Sequence, residues 1–277
     1  MAYLIAISIL WSFSFGIIKY GLAGIDSSFI SFARNVIALT FFSSVTIYNI
    51  KKFSFDLKLA GIGALQFGLM YIFYIESYQY LPAYLIATFT ITTPIYVVLA
   101  SKYLNGNSLN RNGIYAILLV IIGSYLMRFN SLNLKDYMLG FVLIQCANIF
   151  FATGQILFKK WNDKNKDKDI VHNFSQLFFG ATLITSIFYF LGSSESAILT
   201  QSNLFSLLFL GIISSGIGFL MWNIGATKVS AEKLAIMNNA VIPIAIFNSY
   251  LIFGEEINFI LFFPGLIFFY LAFKLIS

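Results

Sequence analysis

The sequence is poor in charge, in cysteine and in histidine. Only 10% of its 277 residues are Asp, Glu, Lys or Arg, whereas a soluble globular domain has about 25%. The single cysteine, Cys146, excludes an intramolecular disulfide, and with the single histidine, His172, a His/Cys zinc site is not expected. The chain also lacks a nucleotide-binding phosphate loop (G-x-x-x-x-G-K followed by Ser or Thr). We therefore expect no cofactor, no metal and no ATP-driven step.

Apolar residues dominate what is present. They make up 59% of the chain, against about 45–50% in soluble domains, and the excess has to face lipid. A helix needs roughly 20 mostly apolar residues to cross about 30 Å of hydrocarbon. The runs between polar breaks predict an all-α integral membrane protein with ten transmembrane helices, and a solvated loop from Lys159 to Asp169. The ten helices are predicted at Ala2–Tyr20, Ser27–Asn49, Leu57–Tyr78, Ala83–Tyr103, Gly113–Phe129, Tyr137–Phe158, Phe174–Gly192, Leu204–Gly225, Ala231–Phe253 and Ile257–Phe273.

The positive charges predict the orientation, because cytoplasmic loops of membrane proteins carry an excess of Lys and Arg. With a cytoplasmic N-terminus, thirteen of the 17 cations fall in cytoplasmic connections or at the C-terminal end. Lys19, Arg128 and Lys135 fall on the opposite side, and Arg34 lies within the second helix. This distribution predicts a multi-pass protein of the cytoplasmic (inner) membrane with both termini cytoplasmic. It also accounts for the net charge of +6 without a nucleic-acid partner.

The two halves of the chain resemble each other. Matching residues recur at a common spacing of 148 positions, and Pro94 falls opposite Pro243 after a slip of one residue. We therefore predict five-helix repeats at 1–129 and 137–277. An odd number of helices inverts the second copy, which is the plan of many secondary transporters. The matched pairs are Gly63 with Gly211, Gly68 with Gly216, Tyr74 with Trp222, Ala83 with Ala231, Ala87 with Ala235, and Gly106 with Gly254.

Ordered motifs along the chain resemble a known family. The stretch Gly218-Phe-Leu-Met-Trp-Asn-Ile-Gly-Ala-Thr-Lys-Val-Ser-Ala231 is followed by Pro243 and by Gly254-Glu-Glu256. The first helix contains Trp11-Ser-Phe-Ser-Phe-Gly-Ile-Ile-Lys19, and Arg34 follows a short connection. Together these motifs resemble the drug/metabolite transporter superfamily, in its EamA-type ten-helix branch.

The resemblance implies a metabolite carrier, often an exporter of amino acids or related compounds. It also implies that helices one, three, four, six, eight and nine line a central cavity. The sequence departs from the family pattern at two places. Asn105-Gly-Asn107 stands where a Gly-Glu pair is typical, and Glu76 occupies a position that is usually apolar.

Two matched prolines, Pro94 and Pro243, mark candidate hinges. A proline inside a helix removes its own N–H and disturbs the carbonyl four residues earlier, here those of Thr90 and Asn239. Paired interruptions in the two halves of a transporter point to its transport site. The alternative is a packing kink, because proline is tolerated in membrane helices.

Amide and aromatic side chains inside the apolar runs are candidate substrate contacts. Buried amides need partners, either a substrate or a neighbouring helix. Aromatic rings can line a cavity and hold an amine by cation–π attraction, or they can form an interfacial belt. The candidates for substrate binding are Trp11, Tyr71, Tyr74, Gln145, Asn148, Trp222, Asn238 and Asn239.

Charges within the spans are further candidates. Lys19, Arg34 and Glu76 all fall in the outer halves of their helices, where an ion pair or an outer gate is one interpretation. Glu76 is alternatively a proton-coupling carboxylate or an anchor for a cation. The competing interpretation is that all three side chains reach the interface by snorkelling.

These features predict a secondary or facilitative transporter of small organic metabolites that works by alternating access in the lipid bilayer. The leading hypothesis is export of amino acids or related amines, and the alternative is export of lipophilic or quaternary cations. A membrane enzyme is not favoured, because the sequence has no metal cluster, no nucleophile motif and no paired carboxylates deep in a span. A non-transporting scaffold is not favoured either, because it has no need of matched prolines. Proton or sodium coupling stays open, and the bundle could work as a monomer or a weak dimer.

Overall fold

The structure is a computed structural model that describes residues 1–48, 50–81, 83–106, 110–127, 137–192, 199–253 and 258–276. All regular structure in these ranges is helical, so the predicted all-α class and the ten-helix architecture are confirmed. The motif Gly254-Glu-Glu256, and the cations Arg128 and Lys135, lie outside these ranges. The helices are α1 (Ala2–Gly21), α2 (Ser27–Tyr48), α3 (Leu57–Gln79), α4 (Ala83–Phe89, Thr90–Thr92 and Thr93–Asn105), α5 (Arg111–Met127), α6 (Met138–Lys164), α7 (Ile170–Leu191), α8 (Gln201–Thr227), α9 (Ala231–Asn239 and Val241–Phe253) and α10 (Phe259–Leu275).

Most of these helices suit a membrane by length and composition alone. Helices α1–α4 and α6–α8 are long and apolar enough to cross one. Helices α5 and α10 are apolar but shorter, with 17 residues each, and they pack against each other. Exposed Leu, Ile and Phe side chains cover the outside of the bundle, as expected of surfaces that face lipid rather than water.

The predicted solvated loop from Lys159 to Asp169 is wrong in its first half. Helix α6 continues through Lys164, and Trp161 is buried in the helix bundle. The ammonium groups of the two adjacent lysines that open this segment donate to the carbonyl oxygens of Leu104 and Val229. Carbonyls at the C-terminal end of a helix have no intrahelical partner and can accept hydrogen bonds from lysines. The two lysines therefore remain part of the helix bundle instead of lying in a solvated loop.

Repeat-matched glycines place the helices closest together. At Gly63 of α3, an added Cβ would lie 1.8 Å from the backbone oxygen of Leu177 in α7. At Gly211 of α8, the matching Cβ would lie 2.6 Å from the Ile37 side chain in α2. Helix α3 therefore packs on α7 as α8 packs on α2, and each pair joins the two halves of the chain.

The irregular parts of the bundle are paired across the repeat as well. Helices α3 and α8 contain π-helical turns at Ala64–Leu69 and Phe209–Ile217. Helix α4 passes through a 3-10 turn at Thr90–Thr92, and α9 is broken at Ala240. Such irregular turns within helices are frequent at functional sites.

The two prolines stand just after these breaks. Pro94 and Pro243 each lie in the first turn of the second segment of their helix. Proline is tolerated there because the first N–H groups of a helical segment have no intrahelical partner. The structure thus has a helix break next to each of the two matched prolines. The role of the prolines as hinges stays a prediction.

A cluster of polar contacts around Asp56 stabilises the end of the bundle at which α3 begins. The carboxylate accepts hydrogen bonds from the Lys58 amide at 3.0 Å and from the Trp161 indole at 2.8 Å, and it pairs with Lys168 at 3.2 Å. The indole hydrogen bond, helped by Lys168, holds the pKa of Asp56 below its ordinary value.

Replacing Asp56 with Asn should destabilise the protein at neutral pH but not in acid. Asn caps a helix about as well as Asp, so the substitution keeps the cap and removes the charge together with the second acceptor oxygen, which the Trp161 indole and Lys168 contact. Because the pKa is lowered by folding, the charge stabilises the fold above the unfolded value of about 3.9, and this stabilisation is lost as the pH falls through the folded value. We expect a loss of about 1 kcal/mol near pH 7 that closes below about pH 4. Thermal unfolding in detergent measures this difference in stability, and Asp167→Asn, at an exposed position, is the control. A difference between the wild type and Asp56→Asn that does not change with pH would contradict the prediction.

Candidate functional site

A cavity of about 130 Å³ lies near the middle of the bundle. Helices α1, α3, α4, α6, α8 and α9 line it, as the family resemblance implies, and α2 contributes Arg34. Most of its wall is aromatic or aliphatic, with small hydroxyl side chains between the rings. The aromatic residues of the wall are Trp11, Phe15, Tyr71, Tyr74, Phe151, Phe219 and Trp222.

The structure brings most of the predicted binding residues together. Six of the eight candidates line the cavity, whereas Gln145 and Asn239 do not. Of the charged candidates only Arg34 lines it, and neither Pro94 nor Pro243 does. The six residues on the wall are Trp11, Tyr71, Tyr74, Asn148, Trp222 and Asn238.

Two indole rings form one side of the cavity. The ring centroids of Trp11 and Trp222 are 4.9 Å apart with planes tilted by 33°, and Phe219 packs edge-on against Trp11 at 5.1 Å. Both indole N–H groups are already used, by the Ser214 carbonyl at 3.0 Å and by Oε1 of Gln155 at 2.9 Å. The rings therefore offer apolar surface to a ligand rather than hydrogen-bond donors.

Two amides on the wall are held in fixed orientations. The Asn148 amide donates to the Phe89 carbonyl at 3.1 Å, next to the 3-10 turn of α4. The Asn238 amide donates to the Leu234 carbonyl at 2.8 Å and contacts Gln155 at 3.3 Å. Among the described residues none donates to Oδ1 of Asn148, so that oxygen is available to a donor in the cavity.

The two remaining amides join helices instead. Gln145 accepts hydrogen bonds from Thr92 at 2.6 Å and from Tyr96 at 3.0 Å. Asn239, which is fully buried, donates to the Ile91 carbonyl at 3.0 Å and so connects the break in α9 to the 3-10 turn in α4. These contacts favour the alternative interpretation, hydrogen bonding between helices, at both positions.

The three charged candidates do not form one cluster. Arg34 is buried, and its Nη2 donates to the Tyr71 hydroxyl at 2.7 Å. Glu76 accepts hydrogen bonds from Ser27 and Gln79, and Lys19 is exposed beside its neighbouring tyrosine ring. Arg34 and Glu76 form no ion pair with each other, and the Glu76 carboxylate is hydrogen-bonded to Ser27 and Gln79 instead.

Sequence reasoning missed two residues behind the wall. The Ser215 hydroxyl lies 3.1 Å from Nη2 and 3.3 Å from Nε of Arg34. Gln155 orients both Trp222 and Asn238. Two features of the sequence could have identified them. Ser215 directly precedes a repeat-matched glycine, and Gln155 is an amide inside an apolar run.

Family comparison agrees with this architecture. Two segments, residues 1–129 and 138–277, match the EamA-like transporter family. The chain belongs to this family. It is a multi-pass membrane protein and a transporter of small molecules rather than an enzyme.

Several relatives of known name cover most of the EamA-family chain. It is 34% identical over 249 residues to a biotin transporter of Salmonella typhimurium, covering 88% of this chain and 81% of that one. It is 31% identical over 259 residues to a probable biotin transporter of Pseudomonas aeruginosa, covering 92% and 90%. A solved crystal structure with 12% sequence identity superposes with a TM-score of 0.80 over 99% of this chain and 96% of the other, which shows the shared fold.

Proposed function

We propose that this protein carries biotin, or a monocarboxylate of similar size and shape, across the cytoplasmic membrane by alternating access. The observation that carries the proposal is the charge of the cavity wall. In the part of the chain that the structure describes, the wall is mainly apolar and aromatic and has one formal charge, the guanidinium of Arg34. Biotin presents matching chemistry, because it has one carboxylate, an aliphatic chain and an uncharged ring system. Relatives named as biotin transporters support the choice.

The same charge distribution disfavours cations as the cargo. In a low-dielectric site the guanidinium of Arg34 repels an organic cation, and no carboxylate among the described wall residues offsets that repulsion. The cation hypothesis relies on Glu76 or on the aromatic side chains, and of these only the aromatic side chains line the cavity. Amino acids stay the second candidate, because the ring faces of Trp11 and Trp222 could hold an ammonium group while Arg34 holds the carboxylate.

Alternating access is supported by the paired construction of the two halves. We take 1–129 and 137–277 as the repeats, with both termini on the cytoplasmic side. The π-helical turns and the breaks of α4 and α9 occur at matching positions, and residues within or next to them line the cavity. Two inverted copies of one unit can exchange conformations, which gives two states of similar energy that open to opposite sides.

Purified protein in liposomes should exchange labelled biotin for unlabelled biotin in a saturable manner. Counterflow needs no assumption about driving force, so it tests the cargo separately from coupling. The competitor panel contains biotin, amino acids and quaternary amines, and liposomes without protein are the control. Exchange of amino acids without biotin would replace the proposal with the second candidate, and exchange of quaternary amines alone would refute both.

Two further arms of the same assay address direction and coupling. Net flux from preloaded liposomes, compared with uptake into empty ones, distinguishes export from import. An imposed pH gradient that drives accumulation would indicate proton coupling, whereas equilibration without accumulation would indicate facilitated transport.

A further inference from the structure

Arg34 carries a buried charge that no carboxylate among the described residues neutralises. The residue is 2% exposed, and no acidic group of the described chain lies within ion-pair distance of it. A charged side chain inside a membrane protein is costly unless it is paired, and such residues face a cavity or a pathway. The charge therefore requires either a structural explanation or an anionic partner from outside the described residues.

The hydrogen bonds of the guanidinium explain its orientation but not its charge. Nε and Nη2 contact the Ser215 hydroxyl, and Nη2 also donates to the Tyr71 hydroxyl. The guanidinium carbon lies 4.1 Å from the centre of the Tyr71 ring. The remaining nitrogen, Nη1, is buried without any hydrogen-bond partner in the described residues. An unpaired buried donor is costly, and Arg34 lines the cavity, so a hydrogen-bond acceptor on a ligand could satisfy this nitrogen.

We propose that Arg34 binds the carboxylate of the transported molecule through Nη1, and that Tyr71 and Ser215 are positioning residues that hold the guanidinium. The inference rests on the proposed function and adds the recognised group to it. The neutral partners come from α3 and α8, the two helices with π-helical turns. Because both partners are neutral, they orient the guanidinium while leaving its charge for the substrate.

This arrangement distinguishes acids from their neutral derivatives. A carboxylate gains a charge-assisted hydrogen bond from Arg34, whereas a methyl ester of the same molecule brings no charge and a weaker acceptor. Biotin and biotin methyl ester therefore form the diagnostic pair. A structural arginine that only ties helices together would not change the preference between them.

The test measures inhibition of biotin counterflow, and thermal stabilisation, by the acid and by the ester. For the wild type we expect the acid to bind about 30-fold more tightly or better, as is typical when a buried charge pair is complete. Arg34→Gln should lose this preference by weakening the acid while leaving the ester unchanged, and Arg34→Lys should keep part of it. Arg111→Gln, the same substitution at an exposed position at the start of α5, should behave as the wild type.

The outcomes separate the inference from the proposed function. If folded Arg34→Gln keeps the preference for the acid, Arg34 is structural and the inference is wrong, although biotin transport stands. If Arg34→Gln does not fold, Tyr71→Phe and Ser215→Ala provide the test, since each should reduce the ratio of acid to ester affinity and an unchanged ratio overturns the inference. If the wild type accepts neither biotin nor its ester but exchanges amino acids, the proposed cargo fails, and leucine against leucinamide repeats the comparison for Arg34.

Discussion

The substitution Gly63→Ala should destabilise the protein severely, whereas Gly61→Ala, two residues earlier on the same helix, should not. At Gly63 the new Cβ would lie 1.8 Å from the oxygen and 2.4 Å from the Cα of Leu177, so it meets the backbone of α7. Backbone atoms cannot rotate away as a side chain can, and relief requires α3 and α7 to separate. We expect a loss of about 3 kcal/mol or more, at the upper end of overpacking effects in proteins.

Gly61 is a matched control for this prediction. Nothing lies within 4 Å of a Cβ added there, and alanine is the better helix former, so Gly61→Ala should be neutral or slightly stabilising. Thermal unfolding and the monodisperse fraction in detergent measure both variants. The reciprocal change on α7, Gly180→Ala, should reproduce the loss, since its Cβ would lie 1.8 Å from the Ala60 oxygen. Equal stability of the Gly61 and Gly63 variants would show that the two helices do not meet as described.

The close approach at Gly63 also shows how far the sequence specifies the fold. The spacing between Gly63 and Gly211 predicted a repeat, and both glycines lie where helices from opposite halves cross. Apolar runs predicted ten helices because each must satisfy its own backbone in lipid. The end of α6 was not predictable in this way. In the sequence Lys159 and Lys160 suggest a solvated loop, and only the three-dimensional structure reveals the carbonyls to which they donate.

The candidate site was predictable in its residue types but not in its pairings. Rings and amides inside apolar spans stand out in a sequence, and Trp11, Asn148 and Trp222 line the cavity, while their contact with a substrate stays a prediction. Ser215 does not stand out, because its role depends on how α8 crosses α2 beside Arg34. The ion pair that was one interpretation of Arg34 and Glu76 is not formed, and the Glu76 carboxylate accepts hydrogen bonds from Ser27 and Gln79 instead.

Trp222 is the residue at which the fold and the proposed function depend on the same side chain. It is 1% exposed overall, yet it forms part of the cavity wall, where it packs against Trp11 and donates a hydrogen bond to Gln155. In the repeat it matches Tyr74, which lines the same cavity from α3. A change at this position should therefore affect ligand binding and stability together.

Replacing Trp222 with Ala should reduce biotin exchange by about tenfold or more at a fixed ligand concentration, because about 1.4 kcal/mol of lost contact suffices for that change. The same variant should lose about 3–5 kcal/mol of stability, as large-to-small substitutions of buried aromatic residues do. Counterflow per folded molecule, with folded protein quantified by size exclusion, separates the two effects.

Trp222→Phe is the control that identifies which part of the side chain matters. Phenylalanine keeps a ring next to Trp11 but removes the N–H that Gln155 accepts at 2.9 Å. If the ring surface binds the ligand, the Phe variant should retain most of the exchange and lose only about 1–2 kcal/mol of stability from the unpaired amide oxygen. If Phe is as inactive as Ala, the orientation of Gln155 and Asn238 matters more than the aromatic surface, and the ligand must be held chiefly by the amides.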